Sequence, residues 1–195
     1  MTTNTSYFHS WDDTTMAEEV LRRIQGIDRV PLPSIDPPSQ PGTYVVWLGS
    51  TRPELHEVFG SLIARGEVPV YAGCGQRLRA RVFRYRQSLR RLAGIDLSEL
   101  YVGLLPCATH ASAAFTERVL LDRTSLLFAD LGGFGAKVPG SRRTEQAASA
   151  LDSLLFPGRG WTRRPSPVDM IRARAQVLAH LARLDPAGPR WPSLV

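Results

Sequence analysis

An unbroken run of arginines is the sequence feature that most directly suggests a chemistry. Seven fall within one short stretch, and no acidic residue interrupts them: Arg77, Arg79, Arg81, Arg84, Arg86, Arg90 and Arg91. Surface helices usually mix the two signs of charge, because opposite charges four residues apart stabilise a helix. A guanidinium group is planar and can donate two hydrogen bonds to one phosphate. The run therefore predicts contact with a nucleic acid.

Two further residue types could act together with these arginines. Tyr85 lies four residues after Arg81, so both side chains project from one face of a helix. A free tyrosine titrates near pH 10 and acts as a base only beside positive charge, which Arg81 could supply. Glu117 offers a hard carboxylate oxygen, the kind of ligand that holds Mg²⁺ together with substrate phosphate and water. These types suit hydrolysis of a phosphate ester, which needs an activated water and neutralised phosphoryl oxygens.

The composition agrees with a polyanionic partner and argues against several protein classes. The chain of 195 residues has a net charge of +6, and Lys137 is its only lysine. No run of about 18 apolar residues is present, and the polar first ten residues lack a secretion signal. Cys74 and Cys107 show no CxxC spacing and no neighbouring histidine cluster, which favours reduced thiols. We therefore expect a cytoplasmic protein that does not enter a membrane.

These residues must be positioned by a small set of strands and helices. Hydrophobic patterning predicts strands at 43–48, 68–72 and 100–105. It predicts helices at 14–25, 53–65, 76–93, 111–127, 145–155 and 167–184. Gly73 and Gly75 are expected to turn the chain into the basic helix, five prolines at 30–42 to form an ordered arm, and several glycines to form a loop at 131–144.

The expected fold class is α/β (α+β), a three-stranded sheet flanked by helices. The length favours a single domain over residues 1–195. Its core would cover about 40–161, with an N-terminal arm at 1–39 and a C-terminal helix and tail at 162–195.

The order of the candidate residues resembles a known family. Gly42-Thr43-Tyr44 on the first strand resembles the GIY element, and the stretch 70–73 (VYAG), which contains Tyr71, resembles the YIG element. A helix with Arg81 and Tyr85, a third strand and a helix with Glu117 then follow. This ordered set is similar to the GIY-YIG nuclease superfamily over about residues 42–130.

Further features are similar to one branch of that superfamily, the GIY-YIG type II restriction endonucleases that cleave CCGCGG. Tyr71 lies 27 positions after Tyr44, and the interval includes a predicted helix, whereas minimal modules join these strands by a short turn. The stretches 133–135 (GFG), 139–140 (PG) and 156–161 (FPGRGW) extend the similarity over most of residues 40–161.

The resemblance implies a role for each candidate. Arg81 would bind the scissile phosphate, and Glu117 would hold Mg²⁺ or Mn²⁺. Tyr71 would activate or orient the attacking water, and Tyr44 would hydrogen-bond within that network. Tyr85 occupies the position where relatives use tyrosine or histidine to assist proton transfer.

Structural interpretations stay open for the same residues. Tyr44 and Tyr71 could be aromatic residues of a half-buried sheet. Tyr85 could belong to the core, because it lies in an apolar stripe at 78, 82, 85, 89 and 92. Glu117 could be a helix carboxylate paired with Arg118 or Arg123. The four histidines are far apart in sequence and suggest no metal site.

One departure from the family pattern bears on activity. Many relatives place an asparagine about twelve residues after the metal-binding glutamate, a position that falls near Ala129 here. The stretch 126–137 contains no asparagine. A protein that binds DNA without cutting it, within a defence or repair assembly, therefore stays an alternative, as does a structure-specific repair nuclease.

The leading hypothesis is a site-specific endonuclease for double-stranded DNA, a type II restriction enzyme acting as a homodimer beside a cognate methyltransferase. A two-fold dimer suits a palindromic site, because each subunit reads one half. Arginine recognises guanine with two hydrogen bonds. The residues expected to contact DNA are Arg77, Arg79, Arg84, Arg142, Arg143, Gln146 and Arg159.

Overall fold

The structure is a computed structural model, and it describes residues 13–66, 68–90, 96–123 and 166–184. The strands are β1 (Val30–Pro31), β2 (Gly42–Leu48), β3 (Val68–Gly75) and β4 (Leu100–Pro106). The helices are α1 (Asp13–Gln25), α2 (Pro53–Phe59), α3 (Ser61–Ala64), α4 (Leu78–Arg90), α5 (His110–Arg123) and α6 (Pro167–Leu184). A 3-10 turn, Leu97–Glu99, leads into β4. No helix among these residues is both long and apolar enough to cross a membrane.

The strands form one antiparallel sheet in the order β1-β4-β2-β3. All seven residues of β2 are buried, because this strand is central and covered on both faces. The mixed α+β class is confirmed, but the prediction of three strands is wrong. The fourth strand, β1, contains only two residues and pairs Val30 with Val102 and Pro31 with Tyr101. A pair this short shows no alternation of polar and apolar residues, and its proline is tolerated at a sheet edge.

The second strand was predicted to end at residue 72, but it continues to Gly75. β3 continues through Gly73, Cys74 and Gly75, which pair with Tyr44, Thr43 and Gly42 of β2. Neither glycine has a positive φ, so the predicted turn at these residues is wrong. They are strand residues, and their lack of a side chain serves close packing. The proline of β3 does lie in an edge strand, as predicted.

The helix predicted over 53–65 is broken into α2 and α3 at Gly60. Gly60 has a φ of 55°, a conformation that glycine adopts without strain, and its N–H donates to the carbonyl of His56. The closing helix α6 has the predicted bounds and contacts α2 through an ion pair between Arg174 and Glu57, 2.9 Å long.

The proline-rich arm is ordered, as predicted, and it is fastened to α4. The first N–H groups of α4, those of Leu78 and Arg79, donate to the carbonyls of Gln40 and Pro38, each at 3.0 Å. The Arg79 side chain donates to the Pro37 carbonyl at 2.9 Å and pairs with Asp36. Arg86 donates to the carbonyl of Pro33 at 3.1 Å. Part of the arginine run therefore holds the arm in place.

The two faces of the sheet carry different helices. Side chains alternate between the faces of a strand, so Tyr44 and Thr43 of β2 point to opposite sides. α4 packs on the Tyr44 face, where a Cβ on Gly42 would collide with the Leu78 side chain. α5 packs on the Thr43 face, where the Thr43 hydroxyl donates to the carbonyl of Ala113 at 2.7 Å.

Candidate active site

Two tyrosines of the sheet lie side by side on the face that α4 covers. Tyr44 pairs with Gly73, and Tyr71 pairs with Val46, so the tyrosines are diagonal neighbours on adjacent strands. Their ring centroids are 5.8 Å apart. A Cβ on Gly73 would lie 2.8 Å from the Tyr71 ring and 3.0 Å from the Tyr44 ring. The glycine of the YIG-like element is therefore the residue that lets both rings lie over the strand.

Tyr85 of α4 completes a cluster of three tyrosines. Its ring stacks on Tyr71 at a centroid distance of 4.9 Å and lies 5.9 Å from the centroid of Tyr44. Its side chain is buried with Leu78, Val82 and Leu89, which agrees with the predicted apolar stripe of this helix. Tyr85 is thus both a core residue and a neighbour of the two sheet tyrosines.

Arg81 approaches this cluster from the preceding turn of α4. Its Nη2 donates a hydrogen bond to the Tyr71 hydroxyl at 3.0 Å, and its side chain is half-buried. A Cβ on Gly75 would lie 2.9 Å from the Arg81 Cβ, so this glycine allows the start of α4 to lie against the end of β3. Arg81 is thereby joined to the tyrosine cluster through Tyr71.

Burial keeps the Tyr44 hydroxyl in its protonated form. The pKa of its hydroxyl is raised well above the ordinary value of 10, first by burial and then by the neighbouring Tyr71, whereas the Arg81 cation opposes the rise. The Tyr44 hydroxyl lies near the Tyr71 hydroxyl. Among the described residues, however, no group has the distance and angle of a regular hydrogen bond to it. Tyr44 is therefore protonated at neutral pH and can donate a hydrogen bond.

Arg81 is held in its charged form by the same surroundings. The pKa of its guanidinium is raised, first by the interaction with Tyr44, and also by Tyr71 and Glu117, although partial burial opposes the rise. Arg81 is therefore a permanent cation beside the tyrosine hydroxyls.

Glu117 reaches the same end of the sheet from the opposite face. It lies on α5, and its carboxylate lies close to the Cys74 thiol of β3. Burial raises the pKa of that thiol to about 12, and the interaction with the Glu117 carboxylate contributes. Glu117 also interacts electrostatically with Arg81, yet no ion pair joins its carboxylate to any residue that the structure describes.

The donor set around Glu117 suits a hard divalent cation that is shared with a substrate. No group of three or more histidine, cysteine, aspartate or glutamate residues that could enclose a metal occurs in the described parts of the chain. A half-buried carboxylate without an ion pair could hold Mg²⁺ or Mn²⁺ if phosphate oxygens and water supply the remaining ligands. Arg81, on the other side of β3, could bind the phosphate itself.

The residues predicted to contact DNA divide into three groups. Arg84 is exposed on α4, and Arg77, the residue before α4, is exposed as well. Arg79 is engaged with Pro37 and Asp36, a contact that the charge pattern alone did not reveal. The others lie outside the described residues, as do Ala129 and the predicted glycine loop: Arg142, Arg143, Gln146 and Arg159.

Sequence reasoning missed two residues beside the site. Thr43 and Cys74 are opposite each other on β2 and β3, and both meet α5, Thr43 at Ala113 and Cys74 at Glu117. Cys74 was overlooked because the second strand was predicted to end at residue 72. A longer strand would have placed Cys74 across from Thr43.

Comparison with known proteins identifies the family. A family profile described as the Eco29kI GIY-YIG domain matches residues 43–182, which is more than half of the chain. Comparison with curated proteins gave no significant match. The matched region contains both sheet tyrosines, Arg81, Tyr85 and Glu117, in the order that the resemblance predicted. The chain belongs to the Eco29kI GIY-YIG domain family, a family of restriction-type nuclease domains.

Proposed function

We propose that this protein is a metal-dependent, site-specific DNA endonuclease that acts as a type II restriction enzyme. The observation that carries the proposal is the separation of charge at one end of the sheet. Arg81 donates to Tyr71 on one face, and Glu117, without an ion pair among the described residues, reaches the same end from the other face. A cation and an anion that do not neutralise each other can bind a phosphate and a metal ion, respectively.

Each side chain then has a defined task in hydrolysis. Arg81 binds the scissile phosphate and neutralises the charge that develops on its oxygens. Because Arg81 donates to the Tyr71 oxygen, the hydroxyl proton of Tyr71 is available to orient the attacking water. Tyr44, protonated and buried, supports that network as a donor. Tyr85 packs against Tyr71, and its position one turn after Arg81 suits it to assist proton transfer.

Glu117 would hold Mg²⁺ or Mn²⁺. When bound, such an ion lowers the pKa of water and neutralises the leaving oxygen. The fold keeps the Glu117 carboxylate near Cys74 and Arg81. Among the described residues, no ion pair of this carboxylate would compete with the metal cation.

Recognition of a target would use two subunits. A homodimer with two-fold symmetry suits a palindrome such as CCGCGG, and a methyltransferase of the same specificity would protect the host's own sites. Base contacts would come from Arg142, Arg143 and Gln146, and phosphate contacts from Arg77, Arg84 and Arg159. These assignments rest on residue chemistry and on the family resemblance.

Digestion of a sequenced plasmid with Mg²⁺ or Mn²⁺ tests the proposal. Discrete fragments with mapped, recurring ends are the expected result. Nicking or smearing without a preferred site would indicate a structure-specific repair nuclease instead. A gel shift without cleavage at any metal concentration would indicate a DNA-binding protein that has lost activity and would overturn the proposal.

A further inference from the structure

We propose that Thr43, the middle residue of the GIY-like element, is a positioning residue that sets the place of Glu117. This inference deepens the proposed function, because it concerns the residue that would hold the metal. Thr43 is fully buried on the central strand β2, and its hydroxyl donates to the carbonyl of Ala113 at 2.7 Å. The residues lie 70 positions apart, so the hydrogen bond joins the sheet directly to α5.

The carbonyl that Thr43 binds is coupled to Glu117 by helix geometry. In an α-helix, the carbonyl of residue 113 accepts the backbone N–H of residue 117. The Ala113 oxygen therefore serves two donors, the Thr43 hydroxyl and the Glu117 amide. Residues four apart also lie on one face of a helix, so Ala113 and Glu117 face the sheet together. Holding this carbonyl in place sets the position of the Glu117 turn along the helix axis, and it also sets the rotation of that turn about the axis.

The neighbouring strand agrees with this arrangement. Cys74 pairs directly with Thr43 across β2 and β3, and its thiol lies close to the Glu117 carboxylate. The same cross-strand pair thus meets α5 at two successive positions of one helix face. Thr43 holds the backbone, and Cys74 lies close to the side chain one turn further on.

A purely apolar residue at position 43 could fill the same space but could not make this connection. Valine has nearly the shape of threonine and no hydroxyl, whereas serine keeps the hydroxyl and loses a methyl group. With valine, α5 would lose its hydrogen bond to β2, and the apolar contacts that replace it at this position are not directional. Small shifts of a metal ligand reduce turnover strongly, because catalysis needs a precise arrangement of the reacting groups.

Thr116→Val is a matched control on the same helix. Thr116 is also buried, and its hydroxyl also donates to an α5 carbonyl, that of Ser112 at 2.9 Å. This bond stays within α5 and does not reach the sheet. Both substitutions remove one buried threonine hydroxyl that donates to an α5 carbonyl, so a general loss of stability should affect both variants.

The test compares the wild type with Thr43→Val, Thr43→Ser and Thr116→Val in full-length protein, well below the melting temperature. We expect Thr43→Val to lower kcat about tenfold and to raise the Mg²⁺ concentration that gives half-maximal cleavage, with unchanged DNA affinity in EDTA. Thr43→Ser and Thr116→Val should stay close to wild type. In the metal-free protein, the amide resonance of Glu117 should shift in Thr43→Val and stay near its wild-type position in Thr43→Ser.

The readouts separate failure of the inference from failure of the proposed function. If the wild type cuts and Thr43→Val cuts with the same kcat and the same Mg²⁺ dependence, the inference is wrong. Equal losses in Thr43→Val and Thr116→Val would show only general destabilisation and would also overturn it. If the wild type cuts nothing, the proposed function fails. An unmoved Glu117 amide in Thr43→Val would then refute the positioning role as well.

Discussion

The two ends of the central strand β2 both bring an arginine and a glutamate together, but in opposite ways. At the C-terminal end, Arg52 and Glu99 form an ion pair of 3.1 Å, and both side chains are largely buried. The Ser50 hydroxyl also hydrogen-bonds Glu99, and the His56 ring contacts the Ser50 carbonyl at 3.0 Å. The charges at this end neutralise each other.

At the N-terminal end, Arg81 donates to the Tyr71 hydroxyl, and the Glu117 carboxylate lies close to the Cys74 thiol. The charges interact at a distance and form no ion pair within the described residues. An arginine and a glutamate bound to each other contribute to stability, whereas the same residue types placed beside a tyrosine and a cysteine keep binding capacity for a phosphate and a cation. The contrast separates a structural cluster from a candidate active site without reference to the family.

Exchanging Glu117 for glutamine should have the largest effect. Glu117→Gln removes the charge that would hold the metal, so we expect cleavage to fall about a thousandfold or more. DNA affinity measured in EDTA should hardly change, because the residue does not contact DNA directly in the proposed mechanism. Cleavage rates and gel shifts of the same preparation measure both quantities.

Glu99→Gln is the control at the other end of the sheet. It removes the same charge from a largely buried ion pair, so the free energy of unfolding should fall by about 1–3 kcal/mol. Cleavage by the folded fraction should be unchanged. If the two glutamine variants lost equal activity, the distinction between the two ends would be wrong.

Arg81→Lys should have the second largest effect, about a hundredfold on kcat, because lysine keeps the charge but not the planar group that donates to Tyr71 and to a phosphate together. The exposed Arg84 on the same helix provides the control, since Arg84→Lys should change kcat little. Comparable losses in both variants would mean that Arg81 is only one of several surface cations.

The reactivity of Cys74 reports the position of Glu117 without any cleavage assay. Its thiol has a pKa of about 12, because burial and the nearby carboxylate disfavour the thiolate, so alkylation at pH 8 should be slow. Glu117→Gln removes one of those causes and should lower the pKa of the thiol. Each unit of decrease should raise the alkylation rate about tenfold. Mass spectrometry gives the rate, with Cys107 as the internal reference, and an unchanged Cys74 rate would place Glu117 elsewhere.

The smallest effect is expected from the exposed arginines on α4 and immediately before it. Replacing Arg77 and Arg84 together by alanine should weaken DNA binding about five- to tenfold and reduce the slope of log affinity against log salt by up to about 2. Arg79→Ala should instead reduce stability, because that side chain holds Pro37 and Asp36, and should leave most of the salt slope intact. The opposite pattern would show that Arg79 contacts DNA directly.

Sequence reasoning located what is encoded by local patterns. The buried run of β2, the apolar stripe of α4 and the bounds of α6 follow from hydrophobic spacing and from proline and glycine signals. The family order of Tyr44, Tyr71, Arg81, Tyr85 and Glu117 gave the candidate site residues. The structure brings the three tyrosines and Arg81 into direct contact and places Glu117 within electrostatic reach of Arg81.

Features that depend on contacts with residues distant in sequence could not be predicted from local patterns. Gly73 and Gly75 indicated a turn, yet they are strand residues whose Cβ positions are taken by the two tyrosine rings and by Arg81. Arg79 looked like its neighbours, and only the position of the arm shows that it is engaged. The edge strand β1 exists because β4 offers it unpaired backbone groups. In each case the partner lies on another element.

The fastening of the proline-rich arm to α4 has a consequence for substrate binding. The backbone N–H groups of Leu78 and Arg79 are saturated by the arm, so an incoming anion cannot use them and must rely on side chains. In exchange, the helix that carries Arg81 is immobilised during folding. The conformational entropy lost in ordering the α4 turn that carries Arg81 is therefore lost during folding and not during DNA binding. Preorganisation of this kind leaves more of the contact energy for affinity and for transition-state stabilisation.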